Sequence, residues 1–372
     1  MKYRTSLFLL LVISFFSLSS FVQANAVDGE TIIVTEKPHQ ALDGVFRDDA
    51  LAQLLTPTGQ LGKLIYVPIK NSRTWIIDAA LVDQVFAMTT QYKLVNEAPT
   101  SGVGIAQNWL AQLRYITSRN DVIALPYGNP NISLARNLAP NEVKIYYDFG
   151  NERLSQVLRR SVITDQKRVT GAGTAHLNNE QTTSYSLDRT RLTALSRVVV
   201  TPELRLLRAQ LAFLLSPSLN AADREFFISN ASNAVNNEVS KLKINGGKYR
   251  LTSSNVKVPV TVENKFEIPV TVDLSLTQSN FKIYTPNIQQ IVIPAKSKLQ
   301  LSMDVTVIAP GNTDITAQLT DTNGNPVSDP ALLSLNLTVI DTRVAWFTTG
   351  AAIILLLGAV AQSVRRVRRS RI

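Results

Sequence analysis

Apolar and polar residues alternate along several short stretches between residues 239 and 341. An alternation with a period of two, broken by turn residues about every 8–12 positions, is typical of an antiparallel β-sandwich. We therefore predict an all-β immunoglobulin-like sandwich of about seven strands over 239–341. Pro259 and Pro269 are expected at sheet edges or β-bulges, because proline has no backbone N–H to donate to a neighbouring strand. The residues predicted to share the alternating faces are Val256, Val258, Val260 and Val262; Val270, Val272, Leu274 and Leu276; Leu299, Leu301, Met303, Val305 and Val307; Ile315, Ala317 and Leu319; and Leu333, Leu335, Leu337 and Val339.

Residues 27–238 show a different pattern, in which short apolar runs are separated by stretches with helical spacing. The runs 74–78 and 122–127 are typical of buried strands, and apolar residues recur at three- and four-residue spacing over 81–116. A strand, a helical region and a second strand predict a right-handed parallel crossover, and hence a partial (β/α) barrel or an open α/β sheet. Further elements are predicted as strands at 145–147 and 197–201, a helix from about 202 to 215, and a long surface loop over 161–190.

The first 26 residues have the pattern of a secretory signal peptide. Lys2 and Arg4 precede the apolar run 7–13, and Ala24 and Ala26 form an A-x-A cleavage site. A charged start, an apolar centre and small residues at the cleavage positions are the features by which such peptides are recognised. We expect cleavage after Ala26, so that the folded protein is exported.

The segment 344–364 contains no charged residue and is followed directly by an arginine-rich tail over 365–372. About 20 apolar residues are enough to cross a hydrocarbon core about 30 Å thick. Arginines remain on the cytoplasmic side of a membrane. The sequence therefore predicts one C-terminal transmembrane helix over 344–364, a cytoplasmic tail, an extracytoplasmic body and the lipid bilayer as a partner.

The formal charge of +10 comes mostly from these two ends. They hold seven basic residues and no acidic one, which leaves +3 for the rest of the chain. A nucleic-acid partner is not expected, because no basic surface of the required size remains. The chain has no cysteine, which excludes disulfides and thiolate sites, and its 45% apolar content excludes disorder as the main state.

Polar residues follow the predicted strands of the α/β region. Chemistry in such folds lies at the C-terminal strand ends, and this rule places Asp78, Tyr127, Asn129 and Asp148 in a candidate pocket. A glycan-cleaving pocket would need two carboxylates at a defined separation. We prefer the interpretation that Asp78 caps the following helix and that 127–130 forms a turn, because strand-end position alone does not identify catalysis.

Metal and cofactor chemistry is not expected. The two histidines, His39 and His176, are far apart in the sequence and outside the candidate pocket. Zinc hydrolases usually have histidine among three protein ligands, and a serine hydrolase triad here would have to recruit His176 from the predicted loop. We therefore predict no metal and no cofactor.

Several segments resemble a family of actinobacterial envelope proteins of unknown function, which are often encoded beside the lipid II flippase. The matching segments are 74–81, 108–113, 124–131, 251–254, 258–264 and 269–272. The resemblance implies a signal peptide, a barrel-like domain, an immunoglobulin-like domain, an arginine-tailed span and a role near the export of peptidoglycan precursors. This chain has Asn129 and Asn131 where the family more often has carboxylates, and it is expected to lack part of the barrel-like region and an N-terminal sandwich.

These observations lead us to expect a non-enzymatic, membrane-anchored extracytoplasmic protein. Its 27–238 domain would present a binding face for cell-wall glycan or another partner on a stalk formed by 239–341, and its span could contact a membrane transport protein. The alternative is a weak or degenerate glycan hydrolase that uses Asp78. A carboxyl separation of about 5–10 Å between Asp78 and Asp148 across an open pocket would favour the hydrolase.

Overall fold

A computed structural model describes residues 30–68, 73–164, 174–338 and 342–369, with the side chains of the last helix described over 349–363. The predicted signal peptide lies outside the described residues. The elements in chain order are β1 (Glu30–Val34), α1 (Ala50–Leu55), α2 (Gln60–Tyr66), β2 (Arg73–Ile77), α3 (Ala79–Ala87), α4 (Val103–Thr117), β3 (Asp121–Ala124), α5 (Ile132–Leu138), α6 (Val143–Leu158), α7 (Asn179–Leu195), α8 (Pro202–Gln210), the 3₁₀ helix Leu211–Leu215, α9 (Ala221–Val239), β4 (Leu242–Ile244), β5 (Gly247–Leu251), β6 (Asn255–Asn264), β7 (Val270–Gln278), β8 (Ile283–Tyr284), β9 (Ile288–Ile293), β10 (Ser297–Val307), β11 (Gly311–Thr320), β12 (Ala331–Leu337) and α10 (Thr342–Arg369).

The first sheet consists of β1, β2 and β3, which lie side by side in chain order and are all parallel. Helices α1 and α2 connect the first pair of strands, and α3 and α4 connect the second pair. Neighbouring strands of a (β/α) barrel have this same sequential order, so the sheet corresponds to an open arc of such a barrel. The predicted α/β character of this region is confirmed, as are the two predicted strands and the helices between them.

Two predicted strands and one predicted loop are wrong. Residues 145–147 lie inside α6, whose buried residues recur at helical spacing from Tyr146 to Leu158. Residues 197–201 form no strand, because 197 and 198 lie in the turn after α7 and the Thr201 side chain already caps α8, which begins at Pro202. Much of the stretch predicted as a loop is α7, a polar helix that begins with a capping box of Asn178 and Gln181. The rest of that stretch includes 165–173, which lie outside the described residues.

The second half of the described chain is a sandwich of two sheets. One has the strand order β4-β6-β10-β8 and the other β5-β12-β11-β7-β9. The described residues thus give nine strands rather than about seven, and the β5–β12 pair is parallel. The additional strands are mostly short and lie at sheet edges, so they carry too few residues to show an alternation.

The alternation in the sequence matches the observed faces. Val258, Val260 and Val262 are fully buried, as are the apolar positions of β7 and β11. Leu299 and Leu301 are half-buried against the same core, and the predicted inward position Val339 lies outside the described residues. The predicted sandwich is therefore confirmed, with β10 less deeply buried at its start than expected.

Pro259 occupies a local edge within β6. The neighbouring strand β4 pairs with β6 only at Val262–Asn264, so no backbone donor is needed from Pro259 on that side. The Tyr249 hydroxyl donates to the Pro259 carbonyl at 2.7 Å instead. Proline is accommodated here because β4 is short.

One hydrophobic cluster runs from α5–α9 into the interior of the sandwich, and a second surrounds the parallel sheet. The 3₁₀ helix contributes to both, because Leu211, Leu214 and Leu215 belong to the first cluster and Phe213 to the second. The sandwich is thus packed directly onto the helices that follow the parallel sheet.

The C-terminal helix α10 extends over Thr342–Arg369. Among the residues whose side chains are described, no helix has the length and apolar content of a membrane span. The predicted span 344–364 reaches beyond those residues, because side chains of this helix are described only over 349–363. The transmembrane assignment therefore stays a prediction.

The register of β6 can be tested with a pair of neighbouring substitutions. Val260→Asp places an unpaired carboxylate in the sandwich core and is expected to lower the free energy of unfolding by about 3 kcal/mol or more. Thr261→Asp, on the opposite face, is expected to change it by less than about 0.5 kcal/mol. Urea denaturation of the full chain measures both values, and equal losses would contradict the register of β6.

Candidate functional site

The C-terminal edge of the parallel sheet is joined by backbone hydrogen bonds between successive strand ends. The Asp78 amide donates to the Val34 carbonyl at 3.0 Å, and the Leu125 amide donates to the Ile77 carbonyl at 2.9 Å. These bonds continue the strand pairing past the last residues of β2 and β3. They bring Asp78 and the segment that contains Tyr127 to one edge, as expected for parallel strands.

Asp78 is a buried cap that serves two segments. Its Oδ1 atom accepts from the Ala80 amide at 2.9 Å, which caps α3, and from the Gly128 amide at 3.0 Å. The side chain is only 2% exposed. Burial raises the pKa of Asp78 to about 7, against the lowering effect of these two hydrogen bonds. The capping interpretation from the sequence is confirmed, and the second bond to Gly128 is an addition to it.

Tyr127 is also buried and contacts a second carboxylate that the sequence analysis missed. Its hydroxyl donates to Asp83 Oδ2 at 3.1 Å. Arg153 holds the same carboxylate, with Nε 3.0 Å from Oδ2 and Nη2 2.8 Å from Oδ1. Burial raises the pKa of Asp83, while Arg153 opposes this shift. The available signal for Asp83 was that it is the one charged residue in the mostly apolar segment 79–87, whereas nothing local marked Arg153.

Aromatic rings fill the space beyond these strand ends. The Phe213 ring stacks on Tyr127 with centroids 5.9 Å apart, and Phe149 contacts Tyr127 edge-on at 5.0 Å. Gly128 has a φ of +75°, and a Cβ there would lie 2.5 Å from the Phe213 ring. The tight contact requires glycine and closes the edge on which the sequence predicted a pocket.

The other two predicted site residues have different surroundings. Asn129 lies in the turn after Gly128, and its Nδ2 is 3.4 Å from the Thr35 hydroxyl at the end of β1. Asp148 lies on the exposed side of α6, where it pairs with Lys144 one helical turn away. The structure therefore brings Asp78 and Tyr127 together, with Asn129 in the adjoining turn. Asp148 does not follow a strand, because 145–147 are helical.

The two histidines lie in different surroundings. His39 is buried near Asp48 and Glu36, with Nδ1 3.5 Å from Asp48 Oδ1, and burial lowers its pKa. His176 is exposed before α7. Within the described part of the chain, no group of three or more His, Cys, Asp or Glu side chains is placed to hold a metal ion.

An open cleft lies elsewhere, between α7 and the connection from β11 to β12. We call it the junction cleft, and its volume is about 670 Å³. Its charged lining residues are Arg189, Arg191, Arg197 and Asp329. The sequence analysis missed this cleft because α7 was predicted as a loop.

The three arginines differ in their partners. Arg191 Nη2 contacts both carboxylate oxygens of Asp329, at 2.8 and 2.9 Å. Arg197 donates to the buried Asp321 at 3.2 Å. Although burial raises the pKa of Asp321, hydrogen bonds from Asn325, Asn323 and Arg197 hold it below its ordinary value, so this carboxylate is ionised at neutral pH.

Arg189 has no such carboxylate in the described structure. Its Nε is buried without a hydrogen-bond partner among the described residues, and its Nη2 lies 3.4 Å from the Thr190 hydroxyl. A buried guanidinium nitrogen without an acceptor is costly, and such groups in native proteins usually have a partner. Arg189 is therefore the arginine of the junction cleft whose charge is not matched by a carboxylate among the described residues.

Comparison with solved structures finds distant similarities to small domains. A CARDB domain from Pyrococcus furiosus is 18% identical, covers 27% of this chain and 93% of its own, and has a TM-score of 0.22. The Caenorhabditis elegans protein WR4, a member of the MSP family, is 10% identical over 26% of this chain and 97% of its own, with a TM-score of 0.21. A PapD-like domain of human CEP192 is 10% identical over 28% of this chain and 89% of its own, with a TM-score of 0.22. A search of curated proteins finds no match.

The sequence model of one family matches residues 148–371, which is more than half of the chain. The matched region includes α7, the sandwich and all the charged residues of the junction cleft, whereas Asp78 and Tyr127 precede it. The resemblance drawn from the sequence is confirmed to the extent that this family, too, has no known function. The chain belongs to DUF6049, a family of unknown function.

Proposed function

We propose that this protein is a membrane-anchored, extracytoplasmic envelope protein that binds an acidic ligand in the junction cleft without catalysing a reaction. The guanidinium of Arg189, which has no carboxylate partner among the described residues that line the cleft, is the observation that carries the proposal. Arginine forms planar paired hydrogen bonds with phosphate and carboxylate groups, which makes such a group the partner that Arg189 lacks.

The dimensions of the junction cleft support a ligand of moderate size. Binding pockets for small molecules commonly measure about 300–1,000 Å³, and this cleft of about 670 Å³ falls in that range. A sugar unit that carries a phosphate or carboxylate group matches both the volume and the charge. Acidic glycans of the cell wall are therefore the proposed ligand class, consistent with a binding or scaffold role near cell-wall assembly.

The membrane anchor is proposed from the sequence pattern and from the exposed side chains of α10. All the aliphatic side chains from Ile353 to Leu357 are exposed, from 53% at Ile353 to 74% at Leu355. Contiguous apolar patches are rare on the surfaces of soluble monomers. Insertion of 344–364 into a bilayer would remove these side chains from water, with the arginine-rich tail on the cytoplasmic side.

The hydrolase alternative receives less support from the geometry. A glycosidase needs two carboxylates that face a space open to substrate. Phe213 occupies the space next to Tyr127, and Asp78 accepts two backbone hydrogen bonds. Asp148 is paired with Lys144 on an exposed helix face. Asp78 and Tyr127 thus belong to the packed core and Asp148 to an exposed helix surface, whereas the junction cleft is open.

Substitution of Arg189 tests the binding proposal. The full chain in detergent micelles would be titrated calorimetrically with inorganic pyrophosphate, with glucuronate and with glucose as the neutral control. At least one anion is expected to bind, and Arg189→Gln should weaken it about tenfold or more, because a hydrogen bond to a charged group contributes about 1.5–3 kcal/mol. The control is Arg250→Gln, which removes an exposed arginine of β5 outside the cleft and should leave the affinity unchanged. Equal losses in both variants, or binding of neither anion, would contradict the proposal.

Substitution of Asp78 separates the capping role from a catalytic role. Asp78→Asn keeps the oxygen that accepts from Ala80 and Gly128, so it should retain the fold, whereas Asp78→Ala leaves two buried amides unpaired and should cost about 2 kcal/mol or more. The raised pKa of about 7 means that the folded state holds the Asp78 proton more tightly than the unfolded state. The stability that Asp78 contributes is therefore present below about pH 4 and is lost as the pH rises to about 7.

Urea denaturation at pH 5 and pH 8 measures this effect. Asp78→Asn cannot titrate, so its free energy of unfolding should fall less between the two pH values than that of the wild type. In a deletion strain with an envelope-stress phenotype, Asp78→Asn should restore growth as well as the wild type. A folded Asp78→Asn protein that fails to restore growth would favour the glycan hydrolase instead.

A further inference from the structure

The sandwich has one end that leads directly to α10. Strand β12 finishes there at Leu337, opposite Gly311 and beside Leu251. The Thr338 amide still donates to the Leu251 carbonyl at 2.8 Å, and α10 begins at Thr342. Four residue steps span at most about 14 Å. This end of the sandwich, which we call the tip, therefore lies close to the start of α10.

Three large apolar side chains are exposed at the tip. Phe281 is 94% exposed, Ile308 is 66% exposed and Tyr284 is 61% exposed. They lie on adjoining segments, because Tyr284 pairs with Thr306 near the end of β10 and the Ile308 amide donates to the Lys282 carbonyl at 2.7 Å. We call Phe281, Tyr284 and Ile308 the tip patch.

Packing among the described residues leaves the tip patch exposed. Phe281 has the highest exposed fraction among the large apolar side chains of the described residues, in a loop whose neighbours Ile283 and Val307 are buried. The loop is held in place, since the Ser279 amide donates to the Asp314 carbonyl at 2.9 Å and the Lys282 amide donates to the Asn280 side chain at 3.0 Å. An ordered loop that presents a phenyl ring to water indicates an apolar surface outside the chain.

We propose that the tip patch inserts into the boundary between lipid head groups and acyl chains, so that the sandwich stands directly on the bilayer. This inference rests on the proposed membrane anchoring through α10. The short connection to α10 favours lipid as the occupant, because it holds Thr338, at this end of the sandwich, within about 14 Å of Thr342, where α10 begins. Aromatic side chains are favoured at this depth of a membrane, and Tyr284 can keep its hydroxyl in water.

The charge beside the tip patch agrees with a lipid surface. Lys282 lies between Phe281 and the buried Ile283, and its Nζ is 3.4 Å from the Asn312 carbonyl at the same end of the sandwich. Basic residues next to a membrane are attracted to anionic head groups. A second contact besides α10 would restrict the tilt of the sandwich and so set the height of the junction cleft above the membrane.

Site-directed spin labelling tests this contact in the full chain. The protein has no cysteine, so each single-cysteine variant carries one nitroxide. The test position is Phe281→Cys. The aqueous control is Val292→Cys, on β9 away from the tip and 57% exposed, and the anchor control is Leu356→Cys in α10. Each protein is reconstituted into vesicles of equal parts phosphatidylethanolamine and phosphatidylglycerol, and power saturation measures collisions with oxygen and with a water-soluble nickel complex.

In lipid, oxygen collisions exceed nickel collisions, and in water the order is reversed. We expect the lipid pattern at positions 281 and 356 and the aqueous pattern at 292. An aqueous pattern at 281 with a lipid pattern at 356 would overturn the tip contact and leave the anchor intact. Aqueous patterns at both would overturn the anchor as well. Low collision rates with both reagents at 281 would indicate burial against protein and would also overturn the lipid contact.

Discussion

The 3₁₀ helix Leu211–Leu215 is the segment on which the arrangement of the molecule depends. An arc of three parallel strands cannot close on itself, so its C-terminal edge has to be covered by another part of the chain. Phe213 covers it from one side of this helix, while Leu211, Leu214 and Leu215 enter the core that continues into the sandwich. Because one short segment belongs to both cores, the parallel sheet and the sandwich are coupled through it.

Covering the edge changes what the strand-end residues do. Gly128 has to lack a side chain where Phe213 approaches, and Asp78 becomes a buried acceptor for two backbone amides. The edge that often carries chemistry in α/β proteins is here part of the core. The open, charged space lies instead where α7 meets the sandwich. Beside it, the buried Glu142 carboxylate accepts hydrogen bonds from the Thr193 hydroxyl and, on both of its oxygens, from Arg208.

The sandwich separates two surfaces of different chemistry. The junction cleft lies at the end that packs against the helices, and the tip patch lies at the end from which the chain passes to α10. The cleft is lined by arginines, whereas the tip exposes apolar side chains. A stalk with a polar binding end and an apolar membrane end is the organisation that the proposed function requires.

The sequence by itself determined the features that depend on neighbouring residues. The alternation of Val258, Val260 and Val262 predicted the sandwich, and the position of Asp78 before an apolar helix predicted its cap. Tertiary structure decided the rest. Tyr146 and Tyr147 have apolar surroundings that suit a strand or a helix, and packing of α6 against the sheet selected the helix. The contact between Phe213 and Gly128, and the lining of the junction cleft by α7 and the β11–β12 connection, depend on residues far apart in the chain, so no local pattern could reveal them.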